Sequence, residues 1–148
     1  MRKPVAFIRK VALSPWVGVR WVNALESAAK DDYSSARTLL GRLREFFEHN
    51  NPEYHLLRAY VNLNLRDLDC AVRDCATANQ LLDGNSRYSV NERHYLRCYS
   101  SKVANLAIRR MPEETKPAQF DESDCVRFDC QRVRKALRRN FPMQTGDN

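Results

Sequence analysis

Asp32-Tyr33-Ser34-Ser35-Ala36 and Asp67-Leu68-Asp69-Cys70-Ala71 each open an apolar stripe, and their closing alanines stand 35 residues apart. The first stripe is Leu39, Leu40, Leu43, Phe46 and Phe47; the second is Val72, Cys75, Ala78, Leu81 and Leu82. Steps of three and four residues keep such positions on one side of a helix. Each stripe follows another apolar-periodic segment and a short turn, so the unit is a helical hairpin written twice. One hairpin cannot bury its apolar face alone and must stack on a neighbour, leaving an open surface. The pattern predicts an all-α fold of stacked antiparallel hairpins with about six helices.

The remaining punctuation fits that reading. Ser14-Pro15 is an N-cap followed by proline at the first helical position, opening a helix to about Lys30 with Trp21, Leu25, Ala28 and Ala29 inward. Residues 3–12 offer a short amphipathic helix through Phe7, Ile8 and Val11. Asp31-Asp32 turns and caps a second helix to about His49, and Asn50-Asn51-Pro52 breaks and recaps the chain for a third carrying Leu56, Leu57, Tyr60, Val61 and Leu63. The fourth stops near Asp83-Gly84-Asn85, a C-terminal signal. The fifth is expected over Val90–Arg110, with Tyr95, Tyr99, Val103 and Leu106 on one side. Pro112 and Pro117 bracket an acidic loop, after which Asp121-Glu122-Ser123-Asp124 caps a last helix over 122–140 with Val126, Cys130, Val133 and Leu137 inward. The 148 residues form one expected domain, 1–148, with two hairpins over 20–84 and further helices over 88–141 packing on or capping the stack.

The net charge of +7 is unevenly spread. Residues 1–20 hold +5, 21–83 hold −3, 84–111 hold +5, 112–126 hold −4 and 127–148 hold +4. Basic patches on the flanks favour an acidic partner, whether protein, nucleic acid or anionic lipid. Five cysteines, an odd number, accompany an N-terminal apolar run that Arg9-Lys10 ends too early for an export signal. Reduced thiols and a cytoplasmic location are the expectation. Val11–Val22 is interrupted by Pro15 and Arg20, too short to span a bilayer. Phe7, Ile8, Trp16 and Trp21 beside five basic residues form a weak membrane-surface signal.

Residues 20–84 resemble two tetratricopeptide repeats. Small packing residues of that family match Ala59, Ala71 and Ala78 in the second copy, with Leu68 before the second helix; in the first copy the positions hold Ala24, Tyr33, Ala36 and Leu43. The helix-A tryptophan is missing from its usual place, Arg58 and Asn62 replace apolar and tyrosine residues, and Glu48 and Asp83 replace the closing proline. The resemblance implies a concave groove lined by first-helix residues, which by position are Trp21, Leu25 and Ala28, then Leu56, Tyr60 and Leu63. Such a lining favours an apolar or helical peptide. Tyr60 stands where a carboxylate-clamping family member would carry asparagine.

Catalytic and metal chemistry find little in the sequence. Asp69-Cys70 with Cys75, and Asp124-Cys125 with Cys130, share a spacing of five, which puts the paired thiols about 140° apart on a helix and prevents chelation from one face. Cys75 and Cys130 on apolar stripes read as small hydrophobes. His49, His55 and His94 show no metal-ligand spacing; His94 and Cys98 share a helix face, but nothing else points to a nucleophilic site. No phosphate loop or dinucleotide fingerprint occurs. No cofactor or metal is expected. The better lead is basic: Arg93 and Arg97 align on the fifth helix, and Arg127, Arg134 and Arg138 on the last. The expected function is a non-enzymatic protein-interaction module (adaptor, chaperone or inhibitor) using the groove and these patches. The alternative is a nucleic-acid-binding accessory protein using the basic helices 88–110 and 122–140.

Overall fold

A computed structural model describes residues 15–123 and Cys125. The expected helix over 3–12 and nearly all of that over 122–140, with Arg127, Cys130, Arg134 and Arg138, lie outside those residues. Five α-helices follow one another: α1 Pro15–Ala29, α2 Tyr33–Phe47, α3 Pro52–Asn64, α4 Leu68–Leu82 and α5 Val90–Arg110, then a 3-10 turn at Glu113–Thr115. Among the described residues there is no strand.

The helix ends form where side chains and backbone can absorb unpaired groups. Asp32 accepts from the Ser35 N–H at 3.2 Å and Asn51 from the Tyr54 N–H at 3.1 Å. Ser89 and Glu92 form a reciprocal capping box at the start of α5. The repeat is also written in the backbone. Asp31 and Arg66, 35 residues apart, both adopt left-handed conformations, with φ of 61° and 65°. The next residue closes the helix in the same way each time: Asp32 N–H to Ser27 carbonyl and Asp67 N–H to Asn62 carbonyl, both 2.8 Å. This is the Schellman closure, which ties off terminal carbonyls and reverses the chain into the partner helix.

Each helix packs on its successor, and α3 also packs on α5, giving an all-α stack of antiparallel hairpins. Ala24, Ala36, Ala59, Ala71 and Ala78 are all fully buried, because neighbouring backbones cross closely there. Trp21 meets the Phe47 ring edge-on at 5.7 Å, and Phe47 leans on Tyr54 at 5.9 Å, joining the two hairpins. The centre of the stack is α3, where Leu56, Leu57, Ala59, Tyr60, Val61 and Leu63 are all buried. Burying each leucine contributes about 1.5–3 kcal/mol, so this helix anchors the core.

After α5 the chain doubles back along it. The Asn105 amide pairs with the main chain of Phe120, accepting its N–H at 2.7 Å and donating to its carbonyl at 3.0 Å. Asn105 also donates to Glu122 at 2.6 Å, and the Ser101 hydroxyl to the Asp121 carbonyl at 3.1 Å. A Cys98–Cys125 disulfide fastens this strap, with Cα atoms 5.3 Å apart. The reduced-thiol expectation is corrected here: the return path brings together two cysteines that linear spacing keeps 27 residues apart. Cys75 is the buried free thiol expected of it, its pKa pushed up to about 12 by burial.

Candidate functional site

The apolar groove candidates do not form an open surface. Trp21, Leu25, Leu56, Tyr60 and Leu63 are all buried in the core, as is Ala28. The α1 positions are consumed against α2, where Trp21 meets Phe47, and the α3 positions because α3 is enclosed by α2, α4 and α5. On α5, Arg93 donates to the Asn85 and Tyr88 carbonyls at 2.9 and 3.1 Å, and Arg97 pairs with Asp83. Both arginines thus tie down the 83–89 turn. Cys98 is oxidised and brings no thiol to His94.

An open cleft of about 740 Å³ lies elsewhere, over α3 and between α2 and α4. Arg37, Gly41 and Arg44 line it from α2, His55, Arg58 and Asn62 from α3, and Cys70, Arg73, Asp74 and Thr77 from α4, with Glu48 and His49 at one end. Four arginines face two carboxylates. The antiparallel run of the helices puts Arg37, Asn62 and Cys70 toward one end and Arg44, His55 and Thr77 toward the other.

A buried polar network fixes the floor. Arg58 grips Asp74 with its Nη2 at 2.6 Å from Oδ1 and its Nε at 2.9 Å from Oδ2. The Arg58 Nη1 donates to the Tyr54 hydroxyl at 3.2 Å, and that hydroxyl donates to the Leu40 carbonyl at 2.9 Å. His55 completes it, with Nδ1 at 3.1 Å from Asp74 and Nε2 at 2.7 Å from the Glu48 carbonyl. Burial disfavours the charged Asp74, yet hydrogen bonds from His55 and Arg58 prevail and hold its pKa below the ordinary carboxylate value. Burial likewise opposes the Arg58 charge, and Asp74 outweighs it, raising the guanidinium pKa. These contacts join α2, the α2–α3 turn, α3 and α4 into one rigid base.

The rim is looser. Arg37 meets Asp67 at 3.4 Å and Arg44 meets Glu48 at 3.0 Å, both arginine side chains more than half exposed. Such surface pairs contribute little to stability because solvent screens them, so an incoming anion can take over these guanidiniums cheaply. Arg73 touches the Cys70 sulfur at 3.3 Å. Asn62 is almost fully buried, and its Oδ1 has no hydrogen-bond partner among the described residues.

The His55–Asp74 pair has no free nitrogen for a substrate, because the atom a general base would use is held by Glu48. The Cys70 thiol has its pKa raised by burial and by Asp67, which keeps it a poor nucleophile. Among the described residues no group of three or more His, Cys, Asp or Glu side chains is placed to hold a metal, and no helix is long and apolar enough to cross a membrane. Sequence reading singled out neither Arg37, Arg44, Arg73 nor Asp74. The available signal was Asp74 amid an apolar stripe, with Arg37 and Arg44 seven apart on the outer face of α2. Comparison with protein-family models, with curated proteins and with solved structures gave no significant match.

Proposed function

We propose that this protein is a non-catalytic, tetratricopeptide-like interaction module that captures an acidic segment of another protein in the cleft between α2 and α4. The carrying observation is the pairing of a rigid floor with yielding rim arginines: Arg58 is committed to the buried Asp74, whereas Arg37 and Arg44 are themselves exposed and hold partners that are only part-buried. Guanidinium forks select carboxylates bidentately, and a positive rim accelerates encounter with an acidic partner. The repeated Schellman turns and buried alanines support the repeat-like architecture. The nucleic-acid alternative is weakened on α5, where Arg93 is spent on the Asn85 and Tyr88 carbonyls and only Arg97, paired with the exposed Asp83, is left to yield. The disulfide fits an oxidising compartment better than the reducing one expected from the sequence.

The test is a pull-down from nuclease-treated host lysate with the wild type and an Arg37→Glu/Arg44→Glu variant side by side. A protein retained by the wild type and lost by the variant, with melting temperature unchanged, is the expected result. Equal capture by both, or capture that vanishes with nuclease, overturns the reading.

A further inference from the structure

We infer that the cleft takes an extended acidic peptide whose main chain lies against Gly41, with two carboxylates three residues apart reaching Arg37 and Arg44. This rests on the acidic-segment reading above and specifies the form of that ligand. Gly41 sits in the interior of the 15-residue α2, where glycine is less stable than alanine. Its own structure does not ask for glycine. Its φ is not among the positive values, and a Cβ added there would meet nothing within 4 Å. The residue is exposed and lines the cleft between Arg37, four positions before it, and Arg44, three after it. What the missing side chain leaves is a low point between two guanidinium stems, where a second backbone can approach closely.

The spacing of the arginines sets the ligand's register. Seven residues of helix at about 1.5 Å each place Arg37 and Arg44 about 10.5 Å apart along α2. A peptide in the extended polyproline II form repeats its direction every three residues, with a rise of about 3.1 Å each, so acidic side chains at i and i+3 point the same way about 9.3 Å apart. Carboxylates two apart fall well short of that span.

The test uses fluorescein-labelled peptides of proline and serine carrying two glutamates at i,i+2 or i,i+3, titrated by anisotropy against wild type, Gly41→Ala and Gly41→Leu chains. Melting temperatures are measured in parallel. The i,i+3 peptide is expected to bind wild type at least about tenfold more tightly than the i,i+2 peptide, a difference of about 1.4 kcal/mol. Gly41→Leu is expected to lose about tenfold or more in affinity while melting no lower than wild type, and Gly41→Ala to melt higher with an intermediate loss. Opposite signs for stability and binding separate a ligand contact from a structural role. Wild-type affinity for Gly41→Leu, or indifference to glutamate spacing, overturns this geometry while leaving the acidic-segment reading intact. Failure of wild type to bind either peptide overturns this inference, and the pull-down then decides the broader reading on its own.

Discussion

Replacing Asp74 with alanine removes the acceptor at the centre of the cleft floor. The variant strands Arg58, which loses contacts at 2.6 and 2.9 Å, and His55, which loses one at 3.1 Å. The side chains of Asp74 and His55 are 6% and 3% exposed, so water does not replace what is lost there. Deleting one partner of a buried ion pair costs about 3–5 kcal/mol. Arg58 keeps 26% of its side chain exposed and recovers part of its hydration, which places the expected loss near the lower end, about 3 kcal/mol. In a chain of this length that corresponds to a fall in melting temperature on the order of 10 °C. Circular dichroism at pH 7, by urea and by heat, measures it. The pH dependence gives a second handle. Because the folded-state pKa of Asp74 lies below its ordinary value of 3.8, the unfolded chain takes up this proton first as acid is added. The stabilisation is complete well above 3.8 and disappears as pH falls through the lower folded-state value. The gap between wild type and variant should therefore shrink in strong acid. A loss at pH 7 under about 1 kcal/mol, or a gap that stays constant into acid, would refute the assignment of the floor to this charge network.

Other outcomes follow from the same contacts. Ala71→Leu, at a fully buried crossing, should cost about 1–3 kcal/mol by overpacking, read as a lower urea midpoint at constant slope. Arg66→Gly should stabilise by about 0.5–1 kcal/mol, since φ of 65° strains any side chain but glycine; a lower midpoint would contradict the closure described. Asn105→Ala should speed hydrogen exchange at the Phe120 amide about tenfold, that amide losing its acceptor at 2.7 Å. Reducing the Cys98–Cys125 bond opens a loop of 27 residues and should lower stability by about 3–4 kcal/mol on a chain-entropy basis, with two additional thiols alkylated.

The hairpin stack was legible because its signals are local. Capping aspartates, Asn51-Pro52 and Gly84 mark the ends, and steps of three and four mark the buried faces, so α5 falls on its expected span. Its inward face was less legible. Tyr99 and Val103 are buried as expected, but Tyr95 and Leu106 are only partly so, and Leu96, Ser100, Ala104, Ala107 and Ile108 complete the face. Ser100, Ser101 and Asn105 are buried through hydrogen bonds to α4 and the strap, and polar residues leave no hydrophobic period to read. The cleft was hidden for a related reason. Arg58 and Asn62 stand out only as departures from an apolar pattern, and the meaning of Arg58 depends on Asp74, sixteen residues later in another helix. Nothing local joins those two residues.

The strap along α5 also decides what that helix can offer a neighbour on one flank. A row of hairpins is an open-ended polymer: whatever surface one unit offers its successor, the last unit still offers to solvent or to another chain. Here the flank of α5 bearing Ser101 and Asn105 has its hydrogen-bonding groups occupied by main chain from Phe120 and Asp121, with a covalent tie one turn away. An added hairpin would have to strip that segment off before docking on this flank. Among the described residues, the segment between Pro112 and Phe120 and on to Ser123 thus covers this flank of α5 with its own main chain.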